Sequence, residues 1–102
     1  MSLDITILGP DGSPQHSVPV GVHSHEILMV AAECRGCSKL LRMADYYGDA
    51  SFSFEELEGL REEIRSVRPD LSAHVWETLC EPFLELVDLA LRERAKIEAI
   101  AD

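Results

Sequence analysis

Basic residues are scarce in this sequence. Its 102 residues include nine lysines and arginines against nineteen aspartates and glutamates, which gives a formal net charge of −10 at pH 7. Nucleic acids and anionic membranes are bound largely through Lys and Arg contacts to phosphate. The charge balance therefore argues against both classes of ligand, and we expect neither nucleic acid nor membrane among the partners.

Long apolar runs are absent as well. No stretch approaches the roughly 18 to 20 uninterrupted apolar residues of a membrane helix, and Met1 to Leu8 lacks the basic and apolar regions of a secretory signal. The three cysteines, Cys34, Cys37 and Cys80, are an odd number in a chain long enough to build its own core. We therefore expect reduced thiols, no disulfide scaffold and a cytoplasmic location.

Signatures of catalysis are also missing. The sequence has no G-x-S-x-G turn and no glycine-rich phosphate loop. Its carboxylates are plentiful, but none is paired by spacing in an apolar setting that would raise a pKa. The sequence therefore predicts a protein that is not an enzyme and needs no cofactor.

The residues that are present predict one domain, residues 1–102, with 46% apolar and 27% charged residues. Leu3 to Leu8 alternates apolar and polar residues as a strand does, and a turn-rich segment, residues 9–14, separates it from a second extended stretch, Ser17 to Gly21. This pattern predicts an N-terminal β-hairpin. Pro19 has no N–H group, so we expect its strand to lie at an edge or to end there.

Two helices are predicted next. The first covers His23 to Glu33, with Ser24 as its N-cap and Gly36 as the residue that ends it. The second covers Ser38 to Tyr46. A further extended segment is expected near Ala50 to Ser53, because two strands alone are marginally stable.

The second half of the chain predicts two more helices. Ser53 and Glu56 have the spacing of a capping box, and apolar residues at helical spacing follow until Pro69. The last helix, capped by Asp70 or Ser72, continues toward Ile97 and Ile100. Pro82 inside it predicts either a kink or two helices that meet near residues 78–81. The predicted fold is therefore α+β, with the hairpin packed on about four helices, the last one long.

Residues 45–63, the acidic segment, contain seven acids and only Arg61 as a base, a local charge of −6. Adjacent tyrosines flanked by acids suit a recognition surface, and this charge would steer a basic protein toward it. The predicted partner-binding residues are Asp45, Tyr46, Tyr47, Asp49, Glu55, Glu56 and Glu62. The alternative is that the acids are a solvated helix face, with one tyrosine packed under the loop and the other merely exposed.

A zinc site is a further alternative. His23, His25, Cys34 and Cys37 are four zinc-competent residues within fifteen positions. However, the histidines lie at the start of the predicted helix and the thiols at its end, roughly 14 Å away for about nine helical residues. This geometry disfavours a shared ion, and the CxxC pair lacks the preceding strand that a redox motif would have.

Short elements of residues 2–67 resemble a group of small bacterial proteins that accompany polymorphic or contact-dependent toxins, some of which are considered immunity proteins. The matching elements are Ser2-Leu3-Asp4-Ile5, Val18-Pro19-Val20-Gly21, His25, Leu28-Met29, Leu40-Leu41-Arg42, Asp45-Tyr46-Tyr47, Asp49-Ala50 and Phe52-Ser53 leading into Glu55-Glu56-Leu57. The resemblance implies a cytosolic protein that occludes the active or substrate-binding surface of a toxin. The acidic segment would suit a basic toxin such as a nuclease.

The alternative function is a self-associating assembly or regulatory module. In the last predicted helix, Leu84 and Leu91 fall off the line of the other apolar residues. Such a wide apolar stripe is typical either of a helix in the centre of a bundle or of one that is partly covered by a partner. A homodimer through this helix is therefore the competing expectation.

Overall fold

The computed structural model describes residues 3–9 and 11–101. Four residues lie outside this description: Met1, Ser2, Pro10 and Asp102. Ser2 belongs to the resemblance and Pro10 to the predicted turn. The strands are β1 (Leu3–Leu8), β2 (Pro14–Val20), β3 (Ala50–Phe52) and β4 (Ile97–Ala101). The helices are α1 (Val22–Arg35), α2 (Leu57–Ser66) and α3, residues 73–93. Helix α3 consists of Ala73–Val75, a π-helical segment Trp76–Cys80, and Glu81–Glu93. The 3₁₀ turns are Leu40–Met43, Phe54–Glu56 and Arg68–Asp70.

The four strands form one antiparallel sheet in the order β2-β1-β4-β3. The predicted hairpin of β1 and β2 is confirmed, with Ile5 opposite Val18. Gly12 in the hairpin loop has a φ of 81°, a conformation that glycine adopts without strain. Strand β2 lies at an edge of the sheet, as the proline at position 19 predicted.

The C-terminal end of the chain corrects the prediction. The last helix ends at Glu93, Arg94 takes a left-handed conformation with a φ of 54°, and Ile97 begins strand β4 instead of continuing a helix. The strand fits between β1 and β3, because the hairpin leaves one edge of β1 unpaired and β4 supplies its hydrogen-bond partners. Ile97 and Ala99 then face the core and are fully buried.

The predicted second helix, Ser38 to Tyr46, is also wrong, since only Leu40–Met43 forms a 3₁₀ turn there. Tertiary contacts outweigh helix propensity in this segment, because Leu40 and Met43 are buried and fix its path. The described part of the chain therefore has three helices in place of about four, and the predicted α+β class is confirmed.

Helix α1 begins earlier than predicted. Its N-cap is Gly21, whose carbonyl accepts the first helical bond from His25 N at 2.9 Å, so Ser24 lies inside the helix. Its end is confirmed, because Gly36 has a φ of 67° and closes the last turn.

Pro82 lies inside a helix that continues through it. The π-helical segment Trp76–Cys80 directly precedes it, and a π turn accommodates the missing N–H and the bulk of the proline ring. Leu84 and Leu91 on this helix are half-buried and pack against the core.

The buried side chains form one contiguous cluster between the helices and one face of the sheet. Strand β1 contributes Leu3, Ile5 and Ile7, whereas the alternate residue Thr6 bonds Ser17 on the opposite, polar face. Among residues 3–9 and 11–101, no helix has the length and apolar character needed to cross a membrane.

Candidate protein-binding surface

Two aspartates of the acidic segment stabilise the local fold. Asp45 Oδ1 accepts a hydrogen bond from the backbone N–H of Tyr47 at 2.9 Å. Asp49 Oδ1 accepts one from the backbone N–H of Ala101 at 2.8 Å, which ties the loop to the end of β4. Both residues were predicted as contact residues, and the structure gives each a local structural role.

Glu63 holds the start of the 3₁₀ turn at residues 40–43. Its Oε1 accepts hydrogen bonds from the backbone N–H groups of Lys39 and Leu40, both at 3.0 Å. These are donors that a helix start leaves without an intrahelical partner. This carboxylate therefore caps a turn that is distant in sequence.

Glu56 serves two structural purposes. It completes the predicted capping box with Ser53, which is confirmed, and it forms an ion pair with Arg42. The hydrogen bond from Arg42, followed by the bond from the Ser53 backbone, lowers the pKa of Glu56 to about 2. Its charge is therefore used within the fold.

The remaining acids of the segment point to solvent. Glu62 is exposed and pairs with Arg65 at 3.2 Å, three residues away on the same helix. Glu55 and Glu58 are also exposed, and within the described residues neither forms an ion pair. Of the predicted acidic contact residues, Glu55 thus forms no ion pair among the described residues, and Glu62 forms only an exposed one within its own helix.

The two tyrosines have different environments. The Tyr46 hydroxyl donates to the Val20 carbonyl at 2.7 Å, and its half-buried ring meets the His25 ring edge-on at 5.1 Å between centroids. The Tyr47 ring lies 5.4 Å from that of Tyr46 and is 63% exposed. Tyr46 therefore anchors the loop and Tyr47 presents its ring to solvent.

The four zinc-competent residues do not converge. His25 is buried and its Nε2 bonds the Met43 carbonyl, and Cys37 is buried with its sulfur 3.5 Å from Ser66 Oγ. His23 and Cys34 are exposed on α1. Across residues 3–9 and 11–101, no three His, Cys, Asp or Glu side chains are arranged to hold a metal ion.

Helix α1 exposes apolar side chains that were not among the predicted contact residues. Val22, Ile27 and Val30 are 53%, 43% and 59% exposed, and with Tyr47 they are the exposed large hydrophobic residues of the described chain. A signal for Ile27 and Val30 exists in the sequence, because residues 27–32 are six consecutive apolar residues. Such a run surrounds a helix, so part of it must face solvent when the helix packs on one side only. These four residues are called the apolar surface below.

The apolar surface is flanked by two grooves along α1. The first groove, about 590 Å³, is lined by His23, Glu26, Ile27, Val30, Ala31, Cys34 and Asp70. The second groove, about 320 Å³, is lined by Val22, His25, Glu26, Met29, Val30, Glu33, Ala44 and Tyr46. Val30 and Glu26 belong to both grooves, and Tyr46 joins the second groove to Tyr47. The four exposed hydrophobic residues are therefore parts of one continuous region.

Acids border this region. Glu26 and Glu33 are exposed on α1, and no ion pair of theirs is found in the described part of the chain. Arg35, at the end of α1, is bonded to Asp70, and this bond lowers the pKa of Asp70 below its usual value. The described residues that line the first groove include the carboxylates Glu26 and Asp70 and no lysine or arginine.

The resemblance to immunity-type proteins is carried by short elements, and the structure assigns several of them to packing. Tyr46 and His25 are in mutual contact, and Phe52 is fully buried. Comparison of the chain with known proteins found no matching family model, no similar curated protein and no similar solved structure.

Proposed function

We propose that this protein is a small cytoplasmic binding protein of the immunity type, which neutralises a cognate bacterial toxin by covering its active or substrate-binding surface. The main support for this proposal is that the four residues of the apolar surface belong to one continuous region. Exposed apolar patches bordered by polar residues mark protein–protein contact sites, and an aromatic anchor such as Tyr47 is typical of their energetic centres.

Charge supports a basic toxin as the partner. The chain has a net charge of −10, and Glu26, Glu33, Glu55 and Glu62 are exposed acids. Complementary potentials accelerate encounter and suppress wrong partners. A toxin that binds nucleic acid would meet here a negative surface that imitates its substrate.

The structure changes which predicted residues we propose as contacts. Tyr47, Glu55 and Glu62 are retained and the apolar surface on α1 is added. The side chains of Asp45, Tyr46 and Asp49 instead hold the loop that presents Tyr47. Glu56 caps the turn at residues 54–56 and pairs with Arg42.

Neutralisation of a purified toxin tests the proposal. The tagged protein is used to isolate a stoichiometric partner from the producing cells, and the partner's toxic activity is then assayed with and without this protein. We expect stoichiometric inhibition, weakened by Tyr47→Ala and Val30→Glu. Gln15→Glu, an added charge on the exposed part of β2, is the matched control. A partner whose toxic activity is unchanged by binding would contradict the immunity proposal.

The alternative is self-association through α3. None of the four exposed large hydrophobic residues lies on that helix, and Leu84 and Leu91 pack against the core. Light scattering separates the two proposals. A stable dimer that Leu91→Glu dissociates, with folding retained by circular dichroism, would favour the assembly module over the toxin-binding protein.

A further inference from the structure

We propose that the element received by the first groove is a single amphipathic α-helix of the partner, with apolar residues on one face and lysines or arginines on its flanks. This inference rests on the proposed function, since it specifies the chemistry of the partner at the same surface.

The lining of the groove follows helical spacing. Along α1 its wall is formed by His23, Ile27, Val30 with Ala31, and Cys34, which are steps of three or four residues. The eleven steps from His23 to Cys34, at about 1.5 Å each, give a wall of roughly 16 Å, or about three helical turns. A second helix packs against such a row by placing its own side chains between these. The shape therefore suits a helix of similar length.

An extended strand fits this site poorly. Strand recognition depends on unpaired backbone groups at a sheet edge, whereas the long wall of the groove is a helix whose backbone groups bond one another. Outside α1, the lining residue is Asp70, in the 3₁₀ turn Arg68–Asp70. Side-chain packing is the contact that this lining offers, and helix-in-groove recognition uses it.

The polarity of the groove sets the pattern of the bound helix. Ile27, Val30 and Ala31 make its centre apolar, whereas Glu26 and Asp70 lie at its borders. Apolar side chains of the partner would cover the centre, and basic side chains at the flanks would meet the carboxylates. Among the described residues, no lysine or arginine lines the groove, and Arg35 beside it is bonded to Asp70, so the lining offers an acidic flank no cationic partner of this kind.

A second copy of this chain is a poorer occupant. Pairing α1 with its own copy would bring Glu26 and Glu33 of both copies into one interface. Each chain also carries a net charge of −10, and like charges of this size oppose association.

A displayed library of amphipathic helical peptides is the probe. Each peptide has about 14 residues, or roughly four turns, with a fixed apolar stripe and Lys, Glu or Gln at the flanking positions. Selection on the wild-type protein is expected to enrich Lys-flanked peptides. Their affinity for the Val30→Glu variant should be at least about tenfold lower than for wild type, equivalent to about 1.4 kcal/mol of binding free energy. For the Gln15→Glu variant it should change less than about twofold, because that position lies on the surface outside the contact.

Charge reversal gives a second readout. Glu26→Lys is expected to weaken Lys-flanked peptides and to strengthen Glu-flanked ones, a crossover that general loss of folding cannot produce. Amide shift changes on binding should be concentrated at residues 23–34 and 70. Enrichment of Glu-flanked peptides, no enrichment over the Val30→Glu variant, or a dimer of the free protein that Val30→Glu dissociates would each overturn the inference.

The two proposals fail separately. If a toxin is neutralised equally well by wild type, Ile27→Glu and Val30→Glu, the helix inference and the placement of the toxin contact on α1 are both wrong, whereas toxin neutralisation itself stands. If the peptides bind the groove but the isolated partner has no activity that this protein inhibits, the immunity proposal is wrong and the groove remains a helix-binding site.

Discussion

Helices α1 and α2 use their apolar residues differently. In α2, Leu57, Leu60 and Ile64 lie on one stripe and are fully buried, and the rest of the helix is mainly charged. In α1, apolar residues surround the helix, so Leu28 is buried while Val30 is largely exposed. The core covers the apolar stripe of α2 and only one side of α1. The additional apolar side of α1 is therefore the part of the molecule that folding does not explain.

The largest expected effect separates a core position from a surface position. Leu60→Ala is expected to lower the free energy of unfolding by about 2–5 kcal/mol because it leaves a cavity in the packed core. Val30→Ala is expected to change it by less than about 0.5 kcal/mol because that side chain faces solvent. Urea unfolding measures both. A comparable loss at the two positions would mean that Val30 is covered in the folded protein.

The next effect separates acids that hold the fold from acids that do not. Glu63→Ala removes the acceptor of two backbone donors, and we expect a loss of about 1–2 kcal/mol, as for other helix-start caps. Glu55→Ala should leave the free energy of unfolding within about 0.5 kcal/mol of wild type. Urea unfolding of the two variants at neutral pH is the measurement. Equal losses would show that the carboxylate of Glu63 is not a cap.

A smaller, pH-dependent effect is expected at Glu56. Its pKa is lowered to about 2 in the folded protein from 4.5, so its contribution is fully present above pH 4.5 and is lost as the pH falls toward 2. Glu56→Gln keeps a capping side chain but removes the charge beside Arg42. Melting temperatures from pH 7 to pH 3 should therefore fall less steeply for Glu56→Gln than for wild type. Parallel curves would contradict the ion pair.

The smallest effect on stability is expected at an exposed thiol. Cys34 is exposed, whereas burial raises the pKa of the Cys80 thiol to about 12. A maleimide at pH 7 should therefore modify Cys34 first, with little change in melting temperature. Mass spectrometry of tryptic peptides identifies the site, and Cys34→Ser is the control. Because Cys34 lines the first groove, a bound helical peptide should slow its modification.

Local signals in the sequence were sufficient for several elements. A few adjacent residues predicted three features of the backbone: the capping box of Ser53 and Glu56, the left-handed conformation of Gly36, and the edge position of β2. The apolar spacing of α2 was equally sufficient. By contrast, the spacing of Ile97 and Ile100 fits a helix as well as a strand, and the unpaired edge of β1 decided between them.

The candidate site was predicted only in part. Adjacent tyrosines and acids pointed to the loop that holds Tyr47. However, the Tyr46 hydroxyl meets the Val20 carbonyl, and Asp49 meets the Ala101 N–H, only after distant segments come together. Charge counting along the chain cannot show which carboxylates these contacts use.

The sequence by itself determined the acidic charge, the α+β class, the hairpin and the amphipathic helix α2, because charge and short-range periodicity are properties of neighbouring residues. Only the tertiary structure decided that residues 97–101 form a central strand and that Ile27 and Val30 face solvent. The physical reason is that backbone pairing and burial depend on which segments come together in space. A helix with apolar residues on every side does not specify which side the rest of the molecule will cover.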